Sequence, residues 1–232
     1  MYRLMSFATF IAAATFGASL VNAAVINLGP TEDVVTSVFS PDTNYGGSAV
    51  LATNLSNYSQ KQYSYMMFDL SSIPAGEQVV GATLNLYQPT GSGSGLSGVS
   101  LFRISDDSWD ESSVTWNSSP STTGAVYLDT NPNGYSYVGW SQWDLFSSGL
   151  WDASSDQADG LLSLWLAEAS SNDQAHQWCS KEASSGEVNY CSGGLEPYLQ
   201  ITTAPVPLPP ALWLFGSGLL GLFGVTRRKK AA

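Results

Sequence analysis

The chain has 232 residues, with 19 acidic against eight basic side chains, one histidine and two cysteines. A formal net charge of −11 disfavours nucleic acid and anionic surfaces as partners. A single histidine beside so few cysteines also excludes the common Cys/His zinc arrangements.

The chain opens with one positive charge at Arg3, an apolar run from Leu4 to Phe16, and small residues ending Val21-Asn22-Ala23. This order is that of a secretory signal cut after Ala23, which implies passage through the Sec translocon and removal by signal peptidase. A retained anchor is the alternative, but the run is short and rich in alanine for a membrane span. From Ala24 to about Ala204 there are enough residues for one sizeable core. Short runs of Val, Tyr, Phe, Thr and Leu recur there between Gly, Pro, Asn and Ser clusters. In chain order they predict strands at Asp33–Phe39, Val50–Asn54, Tyr63–Asp69, Val79–Gln88, Val99–Ile104, Tyr137–Leu145, Leu161–Glu168, Ala175–Ser180 and Tyr198–Thr203. Ala82-Thr83-Leu84-Asn85-Leu86-Tyr87 alternates with the period of a half-buried strand. No long internal segment carries a helical repeat. The pattern predicts an all-β fold, an antiparallel β-sandwich of jelly-roll type with about nine or ten strands.

Cys179 and Cys191 both fall in the exported region, where oxidation is permitted, and a disulfide between them is expected. The end of the chain reads Val206-Pro207-Leu208-Pro209-Pro210, an uncharged stretch to Val225, then Arg227-Arg228-Lys229-Lys230. Residues 206–226 as a helix would be about 31 Å long, matching a hydrocarbon core of about 30 Å. The basic cluster should stay on the cytoplasmic side, which leaves the rest of the chain across the membrane. Three segments follow: a signal peptide at 1–23, a β domain at 24–204, and a tail with a transmembrane helix at 205–232. The domain alone keeps three basic residues, Lys61, Arg103 and Lys181, against all 19 acids, a net charge of −16.

Several residues could carry chemistry. Asp106, Asp107, Asp110 and Glu111 place four carboxylates within six residues, the oxygen-rich type of site that calcium takes; a solvated acidic turn is the alternative. Asp129-Thr130-Asn131-Pro132-Asn133-Gly134 spells half of a calcium loop but has Trp140 where its strongest ligand belongs, so a turn between strands is expected. His176 lacks a partner for a metal site and reads as a hydrogen-bonded or exposed strand histidine. Seven tryptophans remain in the domain. Aromatic faces stack on sugar rings while amide and carboxylate edges bind hydroxyls. Tyr135, Tyr137, Trp140 and Trp178, in polar loops or strand margins, are the surface candidates for binding carbohydrate. Trp165, in an apolar run, is expected in the core.

Two resemblances add to this reading. The Pro-rich cap, the apolar stretch with Trp213 and the Arg-Arg-Lys-Lys terminus resemble the PEP-CTERM sorting signals of Gram-negative bacteria that secrete exopolysaccharide. Leu208 stands where the commonest form has Glu, which makes this tail similar to the Val-Pro-Leu-Pro variant. That resemblance implies an exosortase-type membrane protease as a partner and a place in the cell envelope or extracellular matrix; an uncut single-span anchor is the alternative. Four blocks of the domain, Ser40–Gly47, Tyr65–Gly76, Ala82–Tyr87 and Trp109–Pro120, resemble in order and spacing the DNRLRE family, which includes the family 96 carbohydrate-binding modules. The implied fold is a β-sandwich, and the implied role is binding to polysaccharide. Members that favour alginate use a basic surface, from which this chain departs. Three functions stand in order: a non-catalytic binder of extracellular polysaccharide, a structural coat protein without a specific ligand, and a polysaccharide-active enzyme. Calcium is the one cofactor these residues raise.

Overall fold

The alternation read in residues 82–87 belongs to a longer strand, β5, that forms the spine of one sheet. A computed structural model describes residues 23–55, 61–90, 98–133, 137–169, 175–185 and 190–206. The segment expected to be a signal peptide, Tyr135, and the tail from Pro207 through Leu208 and Pro209 to Arg227, Arg228, Lys229 and Lys230, where a transmembrane helix is expected, lie outside the described residues. Among the described residues no helix is long and apolar enough to cross a membrane.

The strands are β1 (Ala24–Leu28), β2 (Glu32–Ser37), β3 (Val50–Asn54), β4 (Gln62–Asp69), β5 (Glu77–Gln88), β6 (Val99–Ile104), β7 (Val126–Asn131), β8 (Gly139–Asp144), β9 (Leu161–Glu168), β10 (Ala175–Cys179) and β11 (Tyr198–Pro205). They form two antiparallel sheets packed as a sandwich. One has the order β1-β11-β5-β8; the other runs β10-β3-β4-β9-β6-β7, with β2 also paired to β4. Leu84 and Leu86 of β5, Trp143 of β8 and Leu199 and Ile201 of β11 face Met66, Phe68, Leu101, Leu162, Leu164 and Leu166 across the interior. Each leucine so buried contributes about 2 kcal/mol relative to exposure. Because the period of a strand is two, a parity change must be made by an extra residue. Thr202 and Thr203 of β11 pair with Gly81 and Val79, so Val80 bulges out, 45% exposed, and lets Val79 and Ala82 both point inward.

Between β8 and β9 lies a helix, α1 (Ala153–Asp159), that the periodicity did not announce. Asp152 caps its start by accepting from the Ser154 N–H at 3.0 Å, and Gly160 ends it in the left-handed region at φ 85°. Residues 105–125 fold over the outer face of the larger sheet and bury a second, smaller cluster of Val34, Tyr65, Ile104 and Val114. The family-like blocks meet here. The Asn44 side-chain amide donates to the carbonyls of Glu111 and Val114, at 2.5 and 2.6 Å. Gly46 packs so closely that a Cβ would lie 2.4 Å from the Glu111 carbonyl oxygen, which is why a side chain has no room there.

Candidate functional site

The outer face of the four-stranded sheet gathers aromatic rings beside amides. Trp140 of β8 stands opposite Tyr87 of β5, and Tyr198 of β11 stands opposite Asn85. The Trp140 ring makes T-shaped contacts with Tyr87 and Tyr198 at centroid distances of 5.4 and 5.2 Å. All three rings are half-buried, held by their neighbours yet reachable by solvent. The Tyr137 hydroxyl donates to the Trp140 carbonyl at 2.9 Å. Gly139, at φ 137°, accommodates that ring, since a Cβ there would lie 2.9 Å from the Tyr137 hydroxyl. Next to the rings, the Gln142 amide donates to Asn85 Oδ1 at 2.8 Å, and further along Gln200 donates to Asn27 Oδ1 at 3.3 Å. Two of the sequence candidates, Tyr137 and Trp140, therefore lie together on this face. Tyr87 and Tyr198 were missed; their signal is their outward parity on strands whose alternate residues are Leu86 and Leu199.

The remaining aromatic expectations need correction. Trp178 is not at the surface: it is 1% exposed, and its ring meets the edge of Trp143 at 5.8 Å in the core. Trp165 is not interior: it faces outward, half-buried, in a cross-strand row with Tyr63 at 5.4 Å and Phe102 at 4.8 Å. Trp116 stacks on Tyr63 at 5.2 Å, and the Trp109 indole N–H donates to Ser163 Oγ at 3.1 Å. These last two rings fasten the 105–125 segment to the sheet.

The four carboxylates of 106–111 do not converge. Asp106 accepts from the Ser108 hydroxyl and the Ser121 N–H, bonds that hold it below the ordinary carboxylate range. Asp110 accepts from the Ser112 N–H, and Asp107 sits half-buried, its pKa raised by burial. Glu111 turns away to a different group, with Asp33 and Glu182. The Lys181 ammonium lies against that group, donating to Glu111 at 2.6 Å and approaching Glu182 at 2.7 Å. Burial pulls the Lys181 pKa down, and its carboxylate bonds outweigh that and hold it above the ordinary lysine value. A positive charge thus already stands where calcium would be needed. Asp129 is occupied too, accepting from the backbone of Thr130 and Asp144. His176 bonds Glu168 at 2.8 Å, and Glu168 also accepts from Thr53 at 2.6 Å.

Asp33 is 1% exposed, and burial raises its pKa well above 3.8, opposed by the Lys181 backbone N–H and reinforced by Glu182. A carboxyl whose folded pKa is raised contributes stability that is present below the unfolded value and is lost as pH rises through the folded one. Asp33→Asn keeps an acceptor for Lys181 without the charge. The stability of the variant minus that of the native protein should therefore grow as pH rises above about 4. Urea unfolding at several pH values reads this directly, and parallel stability curves would count against the raised pKa.

Cys179 and Cys191 form the expected disulfide, with Cα atoms 5.4 Å apart. It sits in a small buried cluster with Ala183, against which Val50, Tyr87 and Leu195 pack, so the crosslink backs one ring of the aromatic face.

A sandwich with outward rings flanked by amides is hardware for sugars, and the comparison with known sequences agrees. Residues 24–191 match carbohydrate-binding module family 96. The chain belongs to that family. The module is also 30% identical over 105 residues to a gellan lyase from Bacillus sp. That match covers 44% of this chain and 4% of the lyase, so the chain spans a small part of the length of this relative.

Proposed function

We propose that this module is a non-catalytic, exported binder of extracellular polysaccharide, and that the Tyr87–Trp140–Tyr198 face makes the contact. The observation that carries this reading is the half-buried Trp140 ring fixed between Tyr87 and Tyr198 beside the Gln142 amide. A pyranose laid on such a platform stacks its C–H face on the ring while its hydroxyls meet the exposed Gln142 amide, which buried Asn85 holds in place. Asp144 of β8 adds a negative charge beside Gln142, and residues 24–204 carry −16 overall. An uncharged polymer is therefore favoured over an acidic one. The signal peptide and the sorting tail, processed by an exosortase-type protease, would deliver the module to the envelope or matrix of a Gram-negative cell. The gellan lyase relative supports a polysaccharide as the ligand.

Titration calorimetry of the protein against a panel of neutral polymers, with gellan as the acidic comparison, tests the reading. Trp140→Ala should weaken binding about tenfold or more, on the order of 1.4 kcal/mol, and leave the unfolding transition in place. Binding unchanged in Trp140→Ala and Tyr137→Ala would remove this face from the function. Failure to bind any glycan would leave a structural coat protein, and new chain ends released from a polymer would make the protein an enzyme.

A further inference from the structure

The larger sheet holds a cleft that the Trp140 face does not use. β2 and β3 both pair with β4 at Gln62, through Ser37 and Asn54, and then separate. Beyond that point the ladder between β3 and β4 is replaced by one side chain: the Ser64 hydroxyl accepts from the Ala52 N–H at 3.0 Å and donates to the Ala52 carbonyl at 2.8 Å. Two adjoining cavities, of about 360 and 200 Å³, open between the diverging strands and share Tyr45 and Gln62 as walls. The larger is bounded by Phe39 and Asn54, the smaller by Gln177 of β10. The larger volume is within the range of sites that hold small ligands.

The lining is chemically specific. No charged side chain is among its described residues. Phe39 is 79% exposed, far more than a lone phenylalanine gains from, and Tyr45 adds a second ring. Gln62 and Gln177 are half-buried, and among the described residues neither side-chain amide makes a hydrogen bond within the protein. Rings that lack a cover and amides that lack a partner match the two surfaces of a sugar, its C–H face and its hydroxyl edge. We propose that this cleft is a second saccharide site, which takes the end or a short stretch of a neutral glycan. It rests on the carbohydrate-binding reading for its ligand class and on a different sheet for its residues. With one site on each sheet, a single module ties two polysaccharide chains together.

Calorimetry of the full chain with neutral gluco-, manno- and galacto-oligosaccharides of two to six units, followed by turbidity with the matching polymer, tests this. The variants are Phe39→Ser with Gln177→Ala for the cleft and Trp140→Ala for the face; each cleft substitution is at an exposed or half-buried side chain, and circular dichroism verifies folding. The native protein should bind with two sites and aggregate the polymer. Each variant should keep one site, show at least tenfold weakening at the other, and fail to aggregate the polymer. Unchanged stoichiometry and affinity in the Phe39→Ser/Gln177→Ala variant would overturn the cleft and leave the Trp140 face standing. Complete loss of binding in Trp140→Ala would also overturn it. Loss confined to the cleft variant supports the cleft and removes the Trp140 face instead, whereas no binding by the native protein overturns both.

Discussion

Replacing Arg103 by methionine is expected to destabilise the fold by about 3–5 kcal/mol, measured as a shift in urea unfolding. Arg103 lies on β6 with the parity of Val99 and Leu101, so its side chain runs inward rather than into solvent. It ends on Asp156 of α1, which is 1% exposed. The guanidinium holds that carboxylate in a fork: Nε donates to both oxygens, at 3.0 and 3.3 Å, and a second nitrogen donates to Oδ1. The Trp151 indole N–H completes the shell at 2.7 Å. Methionine fills much of the arginine stem's volume but removes the positive charge on Asp156, which leaves, among the described residues, a buried carboxylate held by one neutral donor. The cost of breaking such a pair from one side is large, while removing both charges is close to neutral. Arg103→Met/Asp156→Leu should therefore recover most of the loss. A single variant that loses less than about 1 kcal/mol would remove the Arg103–Asp156 pair as a determinant of stability, and the recovery in the double variant would vanish with it.

Reducing the Cys179–Cys191 disulfide should cost about 3 kcal/mol. The two cysteines are 12 residues apart, and closing a loop of that length removes about this much chain entropy from the unfolded state. Both sulfurs are in the interior, at 0% and 1% exposure, so the loss should not be offset by hydration in the folded state. Urea midpoints with and without dithiothreitol give the number. The crosslink joins the end of β10 to the segment that leads into β11, whose first residue is Tyr198. Reduction should consequently weaken glycan binding at the Trp140 face more than at the Phe39 cleft. Equal stability of the two redox forms would show that the crosslink does not restrict the unfolded chain and would overturn this account.

Most strands were legible because their alternation is strong. Val50–Asn54, Val99–Ile104 and Leu161–Glu168 appear with the predicted bounds. β7 was hidden because Asp129, Thr130 and Asn131 are turn-forming residues; in the fold the Asp129 carboxylate satisfies two backbone amides and makes a strand position acceptable. β1 is a short strand with little buried side chain to declare it. α1, Ala-Ser-Ser-Asp-Gln-Ala-Asp, has no apolar stripe, and its caps Asp152 and Gly160 are its only marks. The tryptophans failed for a different reason. In His176-Gln177-Trp178 the polar companions suggest a margin, yet His176 and Trp178 share the inward parity and Glu168 makes the histidine's burial possible. Parity relative to the core is a property of sheet pairing, which the local sequence does not contain. The carboxylates teach the same lesson, since Asp106 and Asp110 each bond a serine two residues on, and Glu111 finds its partners far along the chain.

The placement of the cations has a colloidal consequence. Of the three basic side chains in residues 24–204, Arg103 and Lys181 are committed to carboxylates, so the outward potential is set almost wholly by acids. Neighbouring copies on one polymer strand would repel over about a Debye length, near 8 Å at physiological salt and longer in fresh water. On the proposed binding reading, their spacing along a polymer should then tighten as salinity rises, so that packing density would follow the medium as well as the binding site.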